Sequence, residues 1–223
     1  MKPVLSPFFL SFVLCFLHSF SVWPEKVLTA TEITVKSIEI KDRVWPEVHA
    51  QALIKADPLT SVAIFAAYDY QKNYIPKLLK SEVSSEKVTK TSNATEVSYS
   101  MDMPWPLDDS EYIHGHELQK LESGYKVRWY MVKSNVAQDV RGHALFEPHP
   151  QNPNYTLLTY VSLISPNSFF AGIFKKVMVG DLIKSIEAIR DTTEKLLEKN
   201  PQLIKKYQDK IQVVLEGKPA YLR

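Results

Sequence analysis

Residues 101–117 read Met101-Asp102-Met103-Pro104-Trp105-Pro106-Leu107-Asp108-Asp109-Ser110-Glu111-Tyr112-Ile113-His114-Gly115-His116-Glu117. Before this stretch, Thr95 to Met103 alternates, with Val97, Tyr99, Met101 and Met103 on one face of a strand; after it, Tyr112 to Leu121 starts another. Proline on both sides of Trp105 fixes φ and removes two backbone donors, which suits a strand end and not the interior of a ladder. The chain therefore turns here with an indole at the bend. That indole either plugs one end of a core or stands at the rim of a cavity.

Outward from the bend, strand patterns follow one another with short polar links: Ser81–Thr91, Thr95–Met103, Tyr112–Leu121, Tyr125–Lys133, Val140–Glu147 and Tyr155–Ile164. Links of this length join neighbours, so the pattern predicts an antiparallel meander. Upstream, Val48, Ala50, Ala52 and Ile54 share a strand face, and Asp57-Pro58 is an N-cap acid followed by proline at the first helical position. Ile75 to Leu79 suggests a short helical turn. Downstream, Ser165 to Ser168 precedes a helix over about Phe169–Lys199, with a stripe of Ile173, Val177, Leu182, Ile186, Ile189, Leu196 and Leu197. Asn200-Pro201 ends it, and Leu203–Leu215 reads as a second, more exposed helix. A helix of about 30 residues is about 45 Å long. It must cross most of a sheet, and a curved sheet gripping it would enclose space.

Composition bounds the remaining possibilities. With 223 residues, 45% apolar and 23% charged, the chain supports one globular domain with a real core. A net charge of +2 with interspersed signs shows no basic stripe, so nucleic acid is not an expected partner. Met1–Ser21 has the pattern of a signal peptide: Lys2, an apolar run from Val4 to Phe20, and small residues Ser19 and Ser21 before Val22. It predicts export to a periplasm or the cell exterior, the alternative being an anchor formed by the same run. The only cysteine, Cys15, lies in that run, so the remainder has no thiol for a disulfide or a metal. The expected organisation is a signal peptide over 1–21, an N-terminal strand segment over 22–43, the main domain over 44–199 and a C-terminal helix and tail over 200–223.

The order of elements resembles the START (steroidogenic acute regulatory protein-related lipid transfer) and polyketide-cyclase-like superfamily. Three segments carry the likeness: Ala52 to Val83 with Asp57-Pro58 and Asp69-Tyr70 … Tyr74-Ile75-Pro76, then Met103-Pro104-Trp105-Pro106-Leu107 with Tyr112, then the C-terminal helix. The resemblance implies an α+β helix-grip fold, a curved antiparallel β-sheet wrapped around a long C-terminal α-helix. It also implies a cavity for a lipid or other apolar small molecule; no cofactor is expected, and transient membrane contact is a further expected partner. Where the family often has Arg-Asp after Pro-Trp-Pro, this chain has Ser110-Glu111, so no headgroup role for that arginine carries over.

Candidate ligand-binding residues on the sheet are Met101, Met103, Trp105, Tyr112, His114, Trp129, Met131 and Phe146. From the helix, Phe170, Ile173, Phe174 and Val177 would close the cavity, and methionines with aromatics suit a deformable apolar pocket. His114, His116, Tyr112 or Arg128 would meet a polar end. Filling of a solid core is the competing account of the same residues. No catalytic residue is assigned: the chain has no Gly-x-Ser-x-Gly elbow and no phosphate-binding glycine loop. His116-Glu117-Leu118-Gln119-Lys120 begins like a zinc-protease helix, but Lys120 stands where the second histidine must be. His114 and His116 share a strand face and would need a third ligand such as His143 to hold a metal, so no metal site is assigned. A cyclase or hydrolase using the same cavity is the rival reading. Asn93-Ala94-Thr95 and Asn154-Tyr155-Thr156 match glycosylation acceptors.

Overall fold

The structure, a computed structural model, describes residues 32–103, 105, 109–167 and 171–222, with only the backbone of 171–174. The expected signal segment, the prolines flanking Trp105 and Phe170 lie outside the described residues, as do the side chains of Ile173 and Phe174.

Eight antiparallel strands form one sheet: β1 (Ile33–Ile38), β2 (Glu47–Ile54), β3 (Leu78–Val88), β4 (Asn93–Met101), β5 (Ser110–Leu121), β6 (Gly124–Ser134), β7 (Ala137–His149) and β8 (Asn152–Pro166). Their spatial order is β1-β2-β8-β7-β6-β5-β4-β3. From β3 to β8 this is the expected meander. The single excursion lies between β2 and β3, where the chain crosses to the far edge through α1 (Pro58–Phe65) and a 3-10 turn at Gln71–Asn73. Helix α2 (Ala171–Lys199) then lies against the sheet and α3 (Pro201–Leu215) packs beside α1. The molecule has the α+β helix-grip architecture. No helix among the described residues is long and apolar enough to cross a membrane.

Local chemistry explains the starts and stops. The Asp57 carboxylate accepts from the amides of Leu59 at 2.9 Å and Thr60 at 3.1 Å, and Pro58 occupies the first helical turn. Behind it, Ser61 donates to Thr156 Oγ1 at 2.9 Å and Thr156 donates to the Ala56 carbonyl at 2.7 Å, which ties α1 to β8 through buried, fully paired polar groups. The helical turn expected at Ile75–Leu79 is replaced by the start of β3 at Leu78. Pro76 has no amide to continue a helix and biases Ile75 toward extended backbone. Helix α3 is less exposed than its sequence suggests: Ile204, Tyr207, Ile211 and Val214 form one buried stripe. The tail beyond it is held by the Glu86 carboxylate, which accepts from the amides of Ala220, Tyr221 and Leu222 at 2.7–3.0 Å.

Inner-face rows follow the strand register. One row runs Thr95, His116, Trp129, Gly142, Ser162, Val48; another runs Tyr125, Phe146, Leu158, Ala52. The second row lies under the helices and is packed solid, with Phe146 at 0% exposure and its ring edge-on to Phe65 at 5.2 Å.

Replacing Asp57 with alanine removes the cap of α1 and is expected to lower unfolding free energy by about 1–2 kcal/mol. Urea denaturation reads this as a lower midpoint at unchanged slope, and Asp57→Asn should keep most of the cap.

Candidate functional site

A cavity of about 500 Å³ lies between the concave face of the sheet and the N-terminal half of α2. Its boundary toward α1 is Phe65, whose ring sits 6.2 Å from Trp129 and 5.2 Å from Phe146. Beyond that aromatic wall the inner face is filled; on the near side it is open. The roof comes from Met178, Leu182, Ser185, Ile186 and Ile189, which fall on one face of α2. Two ion pairs hold the roof at the open end: Lys77 to Asp181 at 2.7 Å and Lys175 to Glu39 at 2.5 Å.

The floor depends on one glycine. Trp129 on β6 is paired with Gly142 on β7. A Cβ at Gly142 would stand 2.4 Å from an indole carbon and 2.3 Å from the Val161 carbonyl oxygen. Only the absence of that Cβ lets the indole lie across β7 and reach the Tyr160 ring at 4.8 Å. Trp129 and Tyr160 thereby pave the cavity floor.

On the β4–β5 side the wall becomes polar. Tyr99 stacks on Tyr112 at 5.2 Å, Tyr112 meets the His114 ring at 4.6 Å, and His114 lies 6.1 Å from His116. Burial pushes the His114 imidazole down to about 4, and burial with the neighbouring His114 holds the His116 imidazole well below its ordinary value, so both are neutral at pH 7. Burial likewise raises the phenols of Tyr99 and Tyr112, and pushes that of Tyr160 up to about 12. The deep wall therefore offers hydrogen bonds without charge.

Of the twelve residues singled out from sequence, Met101, Met103, Tyr112, His114 and Trp129 line the cavity. Trp105 does not: it is 90% exposed, so the bend carries its indole away from the enclosed space. Phe146 belongs to the packed row behind Phe65. Met131 packs against the core without reaching the cavity; the register between β5 and β6 shifts beside it, at Ile113–His114. Val177 is 40% exposed, because the inward stripe of α2 runs through Met178 and Leu182, one residue out of phase with it. Arg128 and His143 pair across β6 and β7 on the outer face, where Arg128 binds Glu117 at 2.7 Å. His143 is thus on the opposite side of the sheet from His114 and His116, and among the described residues no three metal-ligating side chains converge.

The sequence pattern does not reveal Gln71, Phe65, Trp45 or Tyr160, all of which line the cavity. Gln71 and Trp45 come from connecting segments, whose positions are set by the tertiary fold. Of the two glycosylation signatures, Asn93 is occupied by the backbone of Leu118, accepting from its amide at 2.9 Å and donating to its carbonyl, whereas Asn154 is exposed.

The class defined by this geometry is an α+β helix-grip domain with an apolar internal cavity. Sequence comparison alone does not extend this, since no family model and no curated protein matches the chain. Solved structures do. A STAR-related lipid transfer protein fragment from Xanthomonas axonopodis superposes with a TM-score of 0.63 at 16% identity, over 74% of this chain and 96% of that one. Human STARD10 gives 0.65 at 15% identity over 87% and 81%. An aromatase/cyclase from a Streptomyces species gives 0.56 at 10% identity over 68% and 95%. The chain shares the helix-grip fold with these solved structures.

Gly142→Ala should cost about 1–3 kcal/mol by overpacking the floor. In contrast, Gly180→Ala, whose Cβ meets nothing within 4 Å in the middle of α2, should stabilise by up to about 1 kcal/mol. Thermal and urea unfolding of the two variants checks both signs. A second expectation concerns pH. Between the ordinary histidine value of 6.5 and the folded value of about 4, the unfolded imidazole of His114 takes a proton that the folded one refuses. Its contribution is therefore intact above pH 6.5 and is lost as pH falls toward 4, amounting to about 2 kcal/mol by pH 5. The drop in unfolding free energy from pH 7 to 5 should be smaller by that amount in His114→Gln.

Proposed function

We propose that the protein binds a lipid or similar hydrophobic small molecule inside the cavity between its sheet and α2. The observation that carries this is the cavity itself: about 500 Å³ of space with an aromatic floor, an aliphatic roof and uncharged polar groups on one wall. That volume lies in the range of about 300–1,000 Å³ typical of small-molecule sites. A guest burying about 300 Å² of apolar surface gains roughly 7 kcal/mol before association costs, enough for useful binding without an ion pair. The lipid transfer proteins among the structural neighbours support the same reading.

The neighbours also include aromatase/cyclases, which makes chemistry in the cavity the natural alternative. A general acid or base works best with a pKa near the working pH. Here His114 and His116 are pushed well below neutrality and the tyrosines well above it. Retention of a guest fits these groups better than proton transfer to it.

Delipidated protein exposed to a lipid extract should take up a hydrophobic compound visible by native mass spectrometry. Leu182→Trp, which fills the space under the roof, should weaken uptake at least about tenfold while the protein stays folded. Trp105→Ala should leave uptake unchanged. Folded wild-type protein that takes up nothing, or a Leu182→Trp variant that binds as well as wild type, refutes the proposal.

A further inference from the structure

The polar wall of the cavity is built on β5. Ser110, Tyr112, His114 and His116 alternate along that strand, and all four line the cavity from its open end inward. At the deep end the polar groups are engaged within the protein. Gln71 donates its amide to the Phe65 carbonyl at 2.7 Å, and the Tyr99 hydroxyl lies 3.0 Å from the Gln71 side-chain oxygen and 3.1 Å from His116 Nε2. Near the open end the same holds. Asn135 accepts from the Glu111 amide at 2.9 Å, Asn167 donates to the Asn135 carbonyl at 3.1 Å, and Ser134 accepts from the amides of Val136 and Ala137 at 3.1 Å.

Tyr112 and His114, midway along the wall, are different. Neither the Tyr112 hydroxyl nor either ring nitrogen of His114 has a hydrogen-bond partner among the described residues. The side-chain polar atoms that are both unpartnered and fully enclosed are Thr34 Oγ1 and His116 Nδ1. The Tyr112 and His114 atoms are not among them, so each keeps surface that another molecule can touch. That surface belongs to the large cavity: both side chains line it, and neither borders the small void behind His116. Their ring faces are covered by one another at 4.6 Å and by Tyr99 at 5.2 and 5.7 Å. The pair therefore turns two neutral hydrogen-bonding groups toward an otherwise largely apolar space.

Resting on the hydrophobic-ligand reading above, we propose that Tyr112 and His114 form the polar subsite of the cavity, and that its guest is a hydrophobic molecule carrying a neutral oxygen function, a hydroxyl or a carbonyl, at that point. A hydroxyl accepts from the Tyr112 O–H and donates to the bare nitrogen of His114; a carbonyl accepts from Tyr112 and from the His114 N–H. No protein group fixes the His114 tautomer, so the same ring serves both. A pure hydrocarbon would cover these groups and leave them unpaired, which costs affinity. A carboxylate would lack a counter-charge: the cation lining the cavity among the described residues is Lys175, at the open end and paired with Glu39.

2-Naphthol and 2-methylnaphthalene test this, because they have the same shape and differ by hydroxyl against methyl. Titrated into delipidated protein, both should bind, and 2-naphthoate should bind more weakly than 2-naphthol. Tyr112→Phe and His114→Leu should each weaken 2-naphthol at least about fivefold and leave 2-methylnaphthalene within about twofold. Should His114→Leu fail to fold, Tyr112→Phe, which removes one oxygen atom, and the nitrogen chemical shifts of His114 in wild type decide: these should move when 2-naphthol binds and stay in place with 2-methylnaphthalene. An unchanged 2-naphthol affinity in either folded variant, an equal loss of both compounds, His114 shifts that respond alike to both, or tighter binding of 2-naphthoate overturns this inference and leaves hydrophobic binding standing. Binding of none of the three overturns both.

Discussion

The structure is governed by a mismatch of areas. Eight strands spaced about 4.8 Å apart make a sheet roughly 35 Å wide, and a helix with its side chains is about 10 Å across. Even at 29 residues, α2 covers only a strip of the concave face. The rest must be covered by something else or left open. Helices α1 and α3 cover one end: Phe65 reaches down onto Phe146, and the row from Tyr125 to Ala52 is packed solid. Among the described residues no element of that kind covers the end nearest the β4–β5 connection, and the cavity lies there. The position of α1 in the chain, between β2 and β3, determines which end is filled.

Most of the fold is legible in the sequence because its signals are local. Alternation marks the strands, Asp57-Pro58 and Asn200-Pro201 mark helix starts, and short polar links force antiparallel neighbours. The site is legible in part for the same reason. Alternation identifies Met101, Tyr112, His114 and Trp129 as inward-facing, and they line the cavity. It identifies Phe146 as inward-facing with equal justice, yet that residue lies behind the Phe65 wall. A period of two tells the face of the sheet and carries no information about what covers each part of that face. Val177 fails for a different reason. It sits beside Met178 in an apolar stretch, and only contact with the sheet fixes which of the two phases turns inward. Trp105 is a third case: prolines fix where the chain bends, and the direction in which the bend throws its indole depends on the surrounding loops. Gln71, which orders the polar wall, lies in a connecting turn with no periodic signal at all.

Charge is distributed in keeping with this geometry. Cations and anions near the cavity stand at its open end and are paired: Lys77 with Asp181, Lys175 with Glu39. Exposed pairs of this kind contribute little stability each, but both join α2 to segments on the other side of the opening. The deep wall carries no charge, since burial keeps its imidazoles neutral and its phenols protonated. A guest would therefore meet two chemically distinct zones, an ionic margin and a neutral interior, without crossing a buried charge.

The hydrogen-bond chain from Phe65 to His116 links these levels. It begins at the carbonyl of the last residue of α1, passes through Gln71 in the following turn and Tyr99 on β4, and ends at an imidazole on β5. The same Phe65 supplies the ring that divides filled core from open cavity. Bonds in such a chain polarise one another in a low-dielectric interior. One chain of hydrogen bonds thus seats both the residue that divides core from cavity and the polar groups of the cavity wall.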